Sequence, residues 1–221
     1  MDQEMNQQSG TEALAVCPRK KKDKKPVVFY ADRMVFNDET ILYKDIESVS
    51  SAYSSVIYNG IFHNLSTCIT FKLNDRRKLK WKNGSFSVFG LGSIKSKKTF
   101  YVAAITATIS TVVKTIAARY IMTVKEGGTI QIGGVTVSPT EITGRHFAKK
   151  VTVPLEEIGG ASISGNVVAI HRKNANKLAV NSVQGNLDNG LCLVYIINSL
   201  VGNNAEPVIS ADENAPAEEQ E

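Results

Sequence analysis

Arg76, Arg77, Lys78, Lys80 and Lys82 fall within seven positions, and Lys72 stands just before them. Cations at this density suit one chemistry, the capture of anions: phosphate of a lipid headgroup or nucleic acid, or carboxylates of another protein. The spacing narrows the geometry. Asn74-Asp75 is a turn pair. On either side of it Phe71, Leu73, Leu79 and Trp81 share one parity, which points them into a core. Lys72, Lys78, Lys80 and Lys82 share the other and point outward, with Arg76 and Arg77 at the tip. A solvated sheet face accounts for the alternation by itself. It does not require every outward position to be basic, and like charges opposite one another across a ladder repel. The strip is therefore read in two ways, as the wet side of a hairpin or as an anionic-surface binding site.

The next segment, residues 83–98, "NGSFSVFGLGSIKSKK", adds Phe86, Phe89 and Leu91 in a Gly/Ser-rich stretch, followed by Lys95, Lys97 and Lys98. Apolar side chains with a basic collar are what a loop dipping into a membrane needs, because burial and headgroup attraction add. The alternative is that these residues cover the sheet beside the helix that follows. "GLGS" lacks the Gly-Lys-Ser/Thr of a phosphate loop.

Other chemistries find no support. His63, His146 and His171 have no partners at ligand or triad spacing, and no serine sits in a nucleophile-elbow context. Glu156 and Glu157 alternate faces on a strand. Cys17, Cys68 and Cys192 are odd in number, far apart and without a CxxC pair, which suggests neither a disulfide framework nor a zinc site. No catalytic residue, metal or cofactor is expected, and the chain is read as a non-enzyme. The cysteine usage fits a reducing, intracellular compartment. The opening "MDQEMNQQSG" has no apolar core of a secretory signal. A cytoplasmic protein, peripheral at a membrane at most, is the expectation.

Charge is segregated. The net charge is +5, but residues 26–205 carry 20 Lys plus Arg against 11 Asp plus Glu, about +9. Residues 206–221 hold six acids and no base; six bases of the first 25 residues lie in "RKKKDKK". The basic body favours an anionic partner: lipid headgroups or an acidic protein surface. Nucleic acid ranks lower, because Trp81, the single tryptophan, points inward and leaves no stacking platform.

The elements that position these residues occur twice. Short alternating runs bounded by turn residues indicate antiparallel strands. They fill residues 27–82 and close with a helix. They return from residue 120 and close with a second helix, for which Asp188 is the expected N-cap. Thr99–Ala118 is long and apolar enough to raise a membrane span. Ile105, Ile109, Val112 and Ile116, however, form one stripe, which predicts an amphipathic helix packed on a domain. Residues 69–81 align without gaps on residues 168–180 at an offset of 99, placing Leu79 on Leu178 and Trp81 on Val180. "YKDI", Tyr43–Ile46, matches "LEEI", Leu155–Ile158, at an offset of 112. The first copy thus has 13 extra residues between these landmarks, placed in "SSAYSSVIYNGIFHN".

About seven short strands and one helix, twice over, with the acid-apolar step of "YKDI" and "LEEI", resembles the pleckstrin-homology-like (PH-like) barrel in its bacterial PH and GRAM-like versions. The resemblance covers residues 26–203 and is similar to families with two PH-like units in tandem. It implies a mainly β (α+β) chain of two tandem PH-like barrels, each about seven antiparallel strands closed by a C-terminal helix. The units are residues 26–119 and 120–203. A disordered basic segment, 1–25, precedes them and a disordered acidic tail, 204–221, follows. The resemblance also implies a lipid-, peptide- or self-association module without catalysis. PH lipid sites use bases around the first hairpin; here Tyr30–Glu39, "YADRMVFNDE", is poor in them. The function expected is peripheral association with an anionic surface, the cytoplasmic membrane face. The alternative is a protein-interaction or self-assembling scaffold that uses sheet edges and helices, a homo-oligomer included.

Overall fold

A computed structural model describes residues 12–59, 62–88, 93–146, 149–164, 167–173, 178–184 and 187–202. The expected disorder of residues 1–11 and 204–221 lies outside these.

The chain is mainly β, with 48% strand and 29% helix. A first meander, β1 (Ala15–Cys17), β2 (Val27–Phe29), β3 (Arg33–Phe36) and β4 (Glu39–Leu42), forms a four-stranded antiparallel sheet. A single 3-10 turn, Tyr43–Asp45, leads to a second, three-stranded meander: β5 (Ile46–Tyr58), β6 (Phe62–Leu73) and β7 (Lys78–Val88). Then comes a continuous helical rod, α1 (Ser93–Thr108), a π segment (Ile109–Val113) and α2 (Lys114–Lys125). The same order follows again. β8 (Ile130–Ile132), β9 (Val135–Val137), β10 (Glu141–His146) and β11 (Lys149–Pro154) form a four-stranded sheet. A 3-10 turn, Leu155–Glu157, precedes the three-stranded β12 (Ile158–Ser164), β13 (Val167–Arg172) and β14 (Leu178–Gln184), and α3 (Gly190–Leu200) ends the unit. None of the four sheets closes into a barrel.

The repeat reaches into details of the backbone. "YKD" and "LEE" are both 3-10 turns, and each delivers a fully buried isoleucine, Ile46 or Ile158. Each is followed by a break in register, between Ile46 and Ser48 and between Ile158 and Gly160. The extra length of the first copy is also where it was expected. β5 and β6 have 13 and 12 residues against 7 and 6 for β12 and β13. The gapless alignment fails only in the last strand. Phe71 pairs with Leu79 and Ile69 with Trp81, whereas Ile170 pairs with Val180 and Val168 with Val183. Two irregularities in the β13–β14 ladder take up the difference. By pairing, the counterpart of Trp81 is Val183, not Val180.

One apolar core runs through both copies, from Cys17 and Phe29 through Trp81 and Ile105 to Val137, Ile170 and Ile197. The predicted stripe of Ile105, Ile109, Val112 and Ile116 is buried in it. The rod is long and apolar enough by composition to cross a membrane, but 61% of its most apolar window is buried inside the protein. The π segment adds a residue to one turn and so rotates the face that follows. This lets α1 pack on β7 while α2 packs on α3. Ser/Thr hydroxyls satisfy carbonyls along this stretch: Thr108 Oγ1 donates to Ala104 O at 2.8 Å and Thr111 Oγ1 to Ala107 O at 2.6 Å.

Three expectations need correction. Residues 12–25 are not a structureless tether. β1 pairs with β2, Cys17 is buried, and the guanidinium of Arg19 grips Asp23 at 2.9 Å and donates to Lys25 O at 2.8 Å. Arg19 holds the Asp23 carboxyl well below the usual carboxylate range. The helix expected from Thr99 to Ala118 starts at Ser93 and, through the π segment, runs to Lys125. Asp188 does not cap α3; Asn189 holds that position, in the left-handed conformation, with no capping hydrogen bond from its side chain.

That side chain bridges the two copies instead. Asn189 N–H donates to Val49 O at 2.8 Å, and Asn189 Oδ1 accepts from Val49 N–H at 3.1 Å. Asn198, on α3, makes the matching pair in the second copy: Oδ1 accepts from Ala161 N–H at 2.7 Å and Nδ2 donates to Ala161 O at 3.1 Å. Val49 and Ala161 stand at the repeat offset of 112. Each occupies an outer strand, where an unpaired backbone is costly if buried.

Candidate functional site

The inward parity of the basic hairpin holds for Phe71, Leu73 and Trp81, which are buried, and in part for Leu79, which is half-buried. The Trp81 indole N–H donates to Cys17 O at 3.3 Å, and its ring lies 6.4 Å from that of Tyr101. Lys78, Lys80 and Lys82 therefore stand outward on β7, all exposed, two residues apart, which sets them roughly 7 Å from one another along the strand. Among the described residues no acid reaches any of the three.

The other predicted bases divide. Lys72, directly opposite Lys78, is paired with Glu47 at 2.7 Å, which relieves the repulsion. Arg77 is held by Asp75 and Glu39, both at 2.7 Å, and these carboxylates raise its already high pKa. Arg76 occupies the turn at a φ of 71° and is exposed. Lys97 on α1 donates to Arg19 O at 3.1 Å and so fastens the N-terminal segment to the helix. Lys98 lies half-buried on α1 and already has an interaction partner. Lys95 also lies on α1, but its side chain falls outside the described residues.

Residues 83–88 form the far half of β7, not a loop. Phe86 is 64% exposed, on the same face as the lysines. Its ring stacks on that of Phe62 at 5.8 Å, and Val56 is exposed on the same face of β5. Phe89 and Leu91 lie outside the described residues. The outer face of the β5–β6–β7 sheet is thus graded: lysines at the turn end, then Thr70, Cys68, Ser66, Ala52 and Ser54, then Val56, Phe62 and Phe86 at the extended end.

Sequence reasoning missed the place of "RKKKDKK". Lys20, Lys21, Lys22 and Lys24 are exposed on a turn anchored by Arg19 and Asp23. Two contacts tie that region to β7 and α1, Cys17 with Trp81 and Arg19 with Lys97, and Asn83 Nδ2 joins β7 to α1 at Lys97 O at 3.2 Å. The signal was present in Leu14–Cys17, a short apolar run just before the bases.

Two of the three histidines bond serines, Ser55 to His63 at 2.7 Å and Ser162 to His171 at 2.9 Å, and among the described residues no third group extends either pair. Among the described residues no group of three His, Cys, Asp or Glu is placed to hold a metal. Burial pushes the Cys17 thiol up to about 11 and Cys192 up to about 12, which keeps both protonated and unreactive. An open cleft of about 540 Å³ lies in the second copy, lined by Pro139, Pro154, Lys173 and Val201 among others, none of them on the hairpin that carries the lysine row. No family model matches the chain, and no curated protein matches it either.

Proposed function

We propose that this chain is a non-enzymatic, tandem PH-like module that associates peripherally with an anionic surface, the cytoplasmic face of a membrane. Each copy is read as a PH-like unit: a four-stranded sheet, a 3-10 turn, a three-stranded sheet and a closing helix. The observation that carries the functional reading is the graded outer face of β5–β6–β7. Three unpaired lysines supply attraction to headgroups, and the stacked Phe62–Phe86 pair with Val56 supplies an apolar end. The exposed Lys20–Lys24 turn, tied to the same region through Lys97, strengthens the field.

A basic residue at an anionic bilayer contributes about 1 kcal/mol. Changing Lys78, Lys80 and Lys82 together to Gln is therefore expected to lower partitioning onto acidic vesicles by roughly one to two orders of magnitude. The remaining binding should depend less on salt. Flotation with phosphatidylserine-containing and neutral vesicles measures this. Equal recovery on both vesicle types, or a triple variant that binds like the parent, sinks the proposal.

A further inference from the structure

The outward backbone of β5 is the one long sheet edge among the described residues that nothing covers. β5 pairs only with β6, and its first turn is already in use. Arg119 donates to Ile46 O at 2.6 Å, and Asn189 takes both the N–H and the C=O of Val49. In an antiparallel strand the N–H and C=O of one residue point to the same side, and the side alternates. Because Val49 points outward and the ladder is regular from Val49 to Tyr58, the backbones of Ser51, Tyr53, Ser55 and Ile57 point outward too. Among the described residues none of them has an acceptor or donor there. Asn189 is in effect the first residue of an added strand that stops after one step.

The other edges are blunted as exposed edges must be. β7 carries Lys78, Lys80 and Lys82, and β11 carries Lys149 and Lys150. β1 and β8 are three residues long and β4 four. β12 is capped by Asn198, and β14 packs across β10, where a Cβ at Gly144 would lie 2.4 Å from Val180. β5 has only the equivalent cap, Asn189 at Val49, and from Ser51 to Ile57 it has none of these devices. Residues 48–62, "SVSSAYSSVIYNGIF", contain no charge and no proline. Its only bulge lies before Val49.

We infer that the free edge of β5, Ser51 to Ile57, is a strand-addition site for a second copy of this chain. The two β5 strands would pair antiparallel about a two-fold axis into one six-stranded sheet. Self-pairing fits for three reasons. A strand paired antiparallel with its own copy satisfies two-fold symmetry without further adjustment. Two bodies of net positive charge can meet on this segment because it carries no charge. The small residues Ser50, Ala52 and Ser54 on the outer face admit a close neighbour without a clash. The axis stands perpendicular to the sheet, so both lysine rows and both Phe62–Phe86 pairs fall on one face of the dimer. Pairing through this edge does not depend on membrane binding, although a dimer of this form would double the charged face.

A short edge-to-edge interface of this size implies a weak dimer. Sedimentation of the full chain from about 1 µM to about 300 µM brackets the micromolar range expected of a small interface. The mass should rise from 24.0 kDa toward twice that value. Ser54→Lys sets like charges near the axis on an exposed position and should raise the dissociation constant at least tenfold, with the melting temperature unchanged. Ser54→Ala should dimerise like the parent. Amides of Ser51, Tyr53 and Ser55 should gain exchange protection at the high concentration. A parent that stays monomeric throughout, a Ser54→Lys variant that dimerises normally, or a dimer without that protection overturns the inference. So does a monomer that captures an unrelated extended peptide instead.

Discussion

Asn189 is where the second copy completes the sheet of the first, and its removal has a calculable cost. Oδ1 is the acceptor for Val49 N–H, and Val49 is fully buried. Nδ2 donates to Tyr120 Oη at 3.1 Å and to Glu47 O at 3.4 Å. An orphaned buried donor costs about 1–3 kcal/mol, and a second lost bond adds about 0.5–1.5 kcal/mol. A water admitted to the polar gap would hold the sum near the lower end, at about 2 kcal/mol. Asn189→Gly isolates this term, because glycine tolerates the φ of 62°. Asn189→Ala adds a Cβ in the left-handed region and about 1 kcal/mol more. Urea unfolding followed by Trp81 fluorescence reads the first copy, and far-UV circular dichroism reads both. The core is continuous, so the two probes should give one coincident transition in the parent. Both variants should shift it, alanine more than glycine. A glycine variant within about 0.5 kcal/mol of the parent would refute the bridge, and alanine equal to glycine would refute the strain.

Other consequences are as direct. Trp81→Ala empties a fully buried site and takes away the indole bond to Cys17 O; a loss of about 3–5 kcal/mol is expected, and an unchanged melting temperature would mean that the ring does not pack as described. The Asp23 pKa is depressed in the fold, so its contribution is complete above the unfolded value near pH 4 and is lost as the pH falls toward the lower folded value. Asp23→Asn should therefore cost about 1 kcal/mol at pH 7, and the gap to the parent should close in acid; a gap that is constant with pH would exclude the Arg19 contact as its source. Of the three thiols, Cys68 alone is partly exposed, while Cys17 and Cys192 are buried and raised, so a thiol reagent on the native chain should label Cys68 first. Equal rates at all three would contradict the burial.

What the sequence made legible was what repeats at short range. The parity of Phe71 to Trp81, the stripe from Ile105 to Ile116 and the "YKDI"/"LEEI" turns each depend on spacing within a few residues, and each is found in place. What stayed hidden depends on distant partners. β1 is three residues beside a lysine run, and only its pairing with Val27–Phe29 makes it a strand. The helix start is read from Asp188, and the role of Asn189 beside it comes from Val49, 140 positions away. The slip in β14 could not be read because the ladder, not the residue pattern, sets it. Among the candidate bases, pattern could not separate Lys78, Lys80 and Lys82 from Lys72 and Arg77, whose partners Glu47 and Glu39 lie on other strands.

The two copies differ where a binding role would require it. The second spends its helix on the shared core: Leu191 to Val194, Ile196 and Ile197 are all buried, and its hairpins are short. The first has the same frame plus a hairpin extended by six residues in each strand. Beyond Tyr53 that extension adds little to the interior. Leu65 is buried, while Val56, Phe62 and Phe86 remain exposed. Apolar surface of this kind lowers no folding free energy by burial in the monomer, because it stays in water. A partner surface that covered it would supply that gain. The lysines sit on the same face and the free edge on the same sheet, so the proposed headgroup and second-β5 contacts would not compete for it. In that reading headgroups would take the face and a second copy the edge.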